Sequence, residues 1–95
     1  MISFTVRMTF RSDDREDIHR ILRDLTQLSR QEPGCVNYIA HFLADDPNTI
    51  LIYEQYADDA ALDHHRNSPH FKEHAIGGLY QAMKDRHVEN LVAVA

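Results

Sequence analysis

Six side chains in this sequence combine reactive chemistry with a spacing that could bring them together: Glu54, His65, His70, Tyr38, Tyr56 and Phe71. Five of them fall within Ile52 to His74, IYEQYADDAALDHHRNSPHFKEH, a stretch that also holds four of the chain's seven histidines. Glu54 alternates with Ile50 and Ile52 on one face of a strand, so burial is expected, and a buried carboxylate needs a partner or a proton. Two roles fit it. It can pair with a nearby histidine or arginine to hold a helical layer, or it can orient and charge an imidazole as the third member of a catalytic relay. His65 follows Ala61 and Leu62 at helical spacing, which turns it inward and leaves His64 toward solvent. An inward imidazole is commonly a satisfied core residue, yet near its unperturbed pKa it is also a competent general base at neutral pH.

The other candidates carry alternatives of the same kind. His70 and His74 stand four apart on a helix, within reach of one metal ion, but no third ligand occurs at a recognisable spacing and no metal is expected. His70 opens its helix, where it either bonds the broken segment before it or lines a pocket. Tyr38, Tyr56 and Phe71 offer an aromatic wall for a substrate or ordinary core packing. Cys35 reads as a buried small apolar residue, since no histidine can be assigned to activate it. His19, His41 and His87 read as surface or sheet residues. With no phosphate-cradling glycine loop, dinucleotide fingerprint or Ser/His/Asp motif, nicotinamide and flavin have no anchor, and no cofactor is expected.

Positioning these groups requires a specific order of elements. Ile2, Phe4, Val6, Met8 and Phe10 alternate with polar residues as in a half-buried strand. Ser12, Asp13 and Asp14 offer N-cap oxygens, Glu16 stands as in a capping box, and Ile18, Ile21, Leu22, Leu25 and Leu28 form a helical stripe to about Gln31. Pro33 and Gly34 end that helix, glycine being suited to a left-handed exit. A second strand starts near Cys35 with Val36, Tyr38, Ala40 and Phe42 on one face. Asp45 to Asn48 supply a turn, and a third strand runs from Thr49 to Tyr56. Asp58 and Asp59 cap a short helix through about Arg66, Asn67 to Pro69 interrupt it, and Phe71, Ala75, Leu79 and Met83 resume helical spacing, weakened by Gly77 and Gly78. His87 to Val94 reads as a fourth strand. The order β-α-β-β-α-α-β is that of a ferredoxin-like α+β sandwich with an antiparallel sheet. Both faces of the third strand are apolar, which predicts a homodimer packed sheet to sheet.

Composition limits the partners. Ninety-five residues suit one domain spanning 1–95, near the size at which further burial by a second copy helps. A formal charge of −5, from 15 acidic and 10 basic residues, excludes an electrostatic footprint for nucleic acid or anionic membranes. A single cysteine, no signal-peptide pattern and no apolar run of membrane-spanning length point to the cytoplasm.

EPGCVNY at Glu32 to Tyr38, followed by IYEQYADDAALDHHRNSPHF at Ile52 to Phe71, resembles the antibiotic biosynthesis monooxygenase family of small dimeric α+β barrel proteins. The likeness rests on YE followed by an aromatic on the third strand, AL and then a histidine on the short helix, and the S-P-H-F run. It implies a dimeric α+β barrel. It aligns His65 with the family's helix histidine, favours Glu54 as its partner, and makes His70 and Phe71 pocket residues. The implied activity is a cofactor-independent monooxygenase on a small quinol or polycyclic phenol, with His65 and Glu54 as the base pair. An isomerase branch acting on a phosphorylated sugar resembles this chain at the same positions, and a non-catalytic ligand-binding dimer is a third reading, in which Glu54 and His65 are structural. The haem-degrading branch uses a tryptophan, and this chain has none.

Overall fold

The computed structural model describes residues 1–95. Its elements are β1 (Ile2–Thr9), a 3-10 turn (Ser12–Asp14), α1 (Arg15–Arg30), β2 (Cys35–Leu43), β3 (Asp46–Tyr56), α2 (Asp59–Arg66), a π-helical segment (Phe71–Leu79) running into α3 (Tyr80–Ala82), and β4 (Asp85–Leu91). All strand pairs are antiparallel and the sheet order is β2-β3-β1-β4, the ferredoxin-like arrangement expected from the sequence. No helix is long and apolar enough to cross a membrane.

The core lies between the helices and one face of the sheet. Phe4, Val6 and Met8 of β1 and Ile50, Ile52 and Tyr56 of β3 meet Ile18, Leu22 and Leu25 of α1, with Leu62, Ala75 and Leu79 closing the layer. Strand alternation dictates this, because the period of two places every second residue against the helices. Glu54 and Tyr38 belong to the same face, paired across β2 and β3, which is why a carboxyl enters an otherwise apolar layer.

Local chemistry departs from the sequence reading in several places. No side-chain cap closes the start of α1, whose first turn is instead 3-10, whereas Asp58 does cap α2 by accepting from the Ala61 amide at 2.8 Å. The hairpin turn is Ala44–Asp45, so β3 begins at Asp46 rather than Thr49; Asp46 accepts from the Asn48 amide and the Thr49 hydroxyl. Register shifts between Cys35 and Asn37, so Val36 is displaced to 44 % exposure and it is Cys35 that stands opposite Tyr56. A bulge of this kind resets the alternation. The helix after Pro69 is π-helical, and β4 pairs earlier, over Asp85–Leu91, leaving Val92 and Val94 exposed.

Gly34 corrects the sequence reading most usefully. No residue has positive φ, so the glycine serves close approach and not a left-handed exit. A Cβ built at Gly34 would lie 2.3 Å from the Ala61 Cβ, and the Gly34 carbonyl accepts from the Ala57 amide at 2.9 Å. The α1–β2 connection is thereby pressed under α2. Gly34→Ala is expected to cost about 1–3 kcal/mol through this overpacking, read as a fall in Tm; an unchanged Tm would show that α2 shifts freely.

Candidate active site

His65 is the hub of the site. It is 2 % exposed, and the rings of Tyr56, Phe71, Tyr38 and His70 have centroids 5.0, 5.1, 5.8 and 6.1 Å from its own. All six residues singled out in the sequence therefore converge on one place. The helix α2 delivers the imidazole, the inner face of β2 and β3 delivers Tyr38, Glu54 and Tyr56, and the segment after Pro69 delivers His70 and Phe71. Ser68 ties the last two elements together: its hydroxyl donates to the His65 carbonyl at 2.7 Å and accepts from the Phe71 amide at 3.2 Å.

The two nitrogens of His65 face different acids. Nδ1 lies 2.8 Å from Oε2 of Glu32, and Nε2 lies 3.7 Å from Oε1 of Glu54. A bond from Nδ1–H to Glu32 leaves the Nε2 lone pair free, the tautomer needed in a base. His70 Nε2 contacts the same Glu32 oxygen at 2.5 Å. Glu32 is the residue that sequence reasoning missed. The available signal was an acid at the C-terminal end of a helix, where the macrodipole disfavours it and some other interaction must hold it. It is 6 % exposed and follows α1 directly, held by its amide to the Ser29 carbonyl at 3.1 Å.

Glu54 is equally buried and receives the Tyr56 hydroxyl at 2.6 Å. Burial pushes its carboxyl up to about 7, against the opposing effects of the Tyr56 bond and of Arg66 and Arg86. Burial pulls His65 below its ordinary imidazole value, although its bond to Glu32 acts the other way. Tyr38 and Tyr56 are held protonated, chiefly by burial and then by the Glu54 charge. Burial, followed by Glu32, raises the Cys35 thiol to about 11, consistent with an unreactive cysteine.

A cavity of ≈ 40 Å³ lies against His65 and Glu54, the acid nearest Nε2, and is not lined by Glu32. Tyr38, Glu54, His65, Phe71 and Tyr80 line it, with Arg66 and Arg86 beside them; the Arg86 guanidinium lies 5.2 Å over the Tyr80 ring. Tyr56 and His70, expected in the pocket wall, are not part of the lining. Tyr56 acts on Glu54 from behind, and His70 acts on Glu32. His64 is exposed and His74 pairs with Glu73 at 3.1 Å, both away from the cluster.

The raised Glu54 fixes a stability signature. Its folded pKa of about 7 exceeds the reference 4.5, so folding takes up a proton between these values; the cost of burial appears as pH rises through that window and is complete above it. Glu54→Gln is expected to be more stable than the parent at pH 8, on the order of 3 kcal/mol, with the gain fading toward pH 4.5. Thermal melts across that range check it, and a loss of stability at pH 8 would make Glu54 a net structural contributor.

Comparison with known proteins agrees with this architecture. The family profile described as Antibiotic biosynthesis monooxygenase matches residues 1–75. The Mycobacterium tuberculosis protein named "Putative monooxygenase Rv0793" is 33 % identical over 70 residues, which cover 74 % of this chain and 68 % of that protein. Its solved structure superposes with a TM-score of 0.88 at 25 % identity, covering 99 % of this chain and 95 % of that one. PA3566 from Pseudomonas aeruginosa superposes with a TM-score of 0.89 at 30 % identity, covering 99 % and 94 %. The Synechocystis "Uncharacterized protein sll1783" is 33 % identical over 61 residues, 64 % of this chain; the match spans only 42 % of that protein's length. On the family profile, the shared fold and the Mycobacterium relative together, the chain belongs to the antibiotic biosynthesis monooxygenase family.

Proposed function

We propose that this protein is a single-domain, cofactor-independent monooxygenase that oxidises a small quinol or polycyclic phenol with molecular oxygen in the cytoplasm. The observation that carries the reading is the orientation of His65: Nδ1 is occupied by Glu32 while Nε2 faces Glu54 beside an apolar cavity. In this mechanism Nε2 takes the substrate hydroxyl proton. The resulting anion passes one electron to O2, the radical pair joins as a peroxide anion that takes the proton back from His65 Nε2, and loss of water from this hydroperoxide leaves a new carbonyl oxygen. Glu54, kept protonated by burial up to about pH 7, donates a hydrogen bond to the anion in the manner of a neutral carboxyl in an oxyanion site. A cavity of ≈ 40 Å³ holds a few waters and not a quinol. Substrate entry therefore requires the wall formed by Phe71, Leu79 and Tyr80 to move.

The rival reading is proton transfer without oxygen, as in an isomerase on a phosphorylated carbohydrate. Arg66 and Arg86 beside the cavity favour an anionic substrate of that kind. The test is oxygen uptake with a panel of reduced naphthoquinones and polycyclic phenols. Uptake above background, falling about 10²–10⁴-fold in His65→Ala, is the expected result. Turnover that persists without oxygen favours the isomerase, and binding without turnover of any kind favours a ligand-binding role.

The same reading takes the protein as a homodimer joined through the outer sheet face. Ile39 and Leu91 are exposed there at 39 % and 41 %, and Ile39 pairs with Tyr53 across β2 and β3. Ile39→Asp is expected to convert dimer to monomer in sedimentation velocity; a parent that sediments as a monomer would remove the dimer.

A further inference from the structure

The Glu32–His65–His70 cluster has ligating capacity that hydrogen bonding does not exhaust. One ligating atom from each of Glu32, His65 and His70 lies within 4.8 Å of the other two, and Nδ1 of His65 and Nε2 of His70 are the nitrogens that contact Glu32. Both imidazoles address the same oxygen, Oε2, while Oε1 is buried without any hydrogen-bond partner. An orphaned carboxyl oxygen in a dry site is costly. A cation engaging Glu32 through both oxygens would satisfy it. The missing third ligand that argued against a His70–His74 metal pair in the sequence is supplied here by Glu32, from a connection 33 residues before His65. His74 is not involved.

The geometry points to a divalent transition-metal site of the zinc class at Glu32, His65 and His70, whose occupation switches off the base on His65. Two imidazoles and a carboxyl suit zinc, nickel or ferrous iron. Donors held about 2.0–2.2 Å from one ion stand farther apart than the present 2.8 and 2.5 Å contacts, so both hydrogen bonds to Oε2 open as the ion enters. Metal occupancy and base function compete for one ring. Without metal, the ring proton lies on Nδ1 toward Glu32 and Nε2 has its lone pair. A metal binds through a lone pair on Nδ1, so the proton must leave Nδ1, and in the neutral ring it then resides on Nε2, the atom that would receive the substrate proton. His70, more exposed than His65 with its side chain at 16 %, is the entry side. The inhibitory half of this inference rests on the proposed base; the metal site does not.

The experiment is therefore substrate-free. Chelator-treated protein is titrated with Zn2+ by calorimetry and with Co2+ by visible absorption, while long-range proton–nitrogen NMR follows the histidine rings. One ion per chain is expected, with affinity falling about 100-fold in His70→Ala and in Glu32→Gln and unchanged in His74→Ala, and with Zn2+ moving His65 from the Nδ1–H to the Nε2–H tautomer. Circular dichroism checks that each variant is folded; His70→Ala, at the outer edge of the cluster, decides if Glu32→Gln is not. Absence of stoichiometric binding, or affinity insensitive to His70→Ala, overturns the site. Binding that leaves the His65 tautomer unchanged overturns the switch.

Discussion

The contact between Glu32 and His65 is the constraint on which the rest of the structure turns. An imidazole at 2 % exposure has no solvent to define its tautomer, so the protein must define it. Glu32 does this from the end of α1, and it can do so only because the α1–β2 connection lies directly beneath α2. Gly34 permits that approach by presenting no Cβ to Ala61. The 3.1 Å bonds from the Glu32 amide to Ser29 and from the Cys35 amide to the Glu32 carbonyl fix the backbone at both sides of the acid. Backbone geometry at a helix exit thus decides the protonation pattern of a side chain on another helix.

A second acid on the opposite side of the ring gives the site its asymmetry. Glu32 engages both histidines, whereas Glu54 has one hydroxyl donor, Tyr56, and faces the cavity. Desolvation dominates at Glu54, so its carboxyl approaches neutrality near pH 7. Two carboxyls of similar burial are thereby differentiated by their partners. The cost is borne by the fold, since an apolar residue in place of Glu54 would suit a layer made of Ile50, Ile52 and Phe4. Sites that retain such a cost are candidates for function.

The sheet divides the labour. Its inner face carries the core and the reactive groups, while its outer face leaves Ile39 and Leu91 exposed. β4, one of the two edge strands, contributes Arg86 to the cavity and little to the core. Arg66 and Arg86 place positive charge at the cavity of a protein with a net charge of −5, a local reversal that composition conceals.

The sequence by itself determined the element order, the inner face of β1 and β3, and the inward turn of His65, because each follows from a period of two or of 3.6 that is set by local backbone geometry. It also brought Glu54, His70, Tyr38, Tyr56 and Phe71 forward as candidates, and all of them surround His65. The tertiary structure alone decided the partners. Glu32 meets His65 and His70 across 33 and 38 residues, and no local periodicity encodes that distance. The bulge at Val36, the start of β3 at Asp46 and the role of Gly34 likewise follow from which strands pair and which helix lies above. Reactive residues could be recognised by type and spacing, whereas the nitrogen, the oxygen and the cavity that each one faces were set by long-range packing.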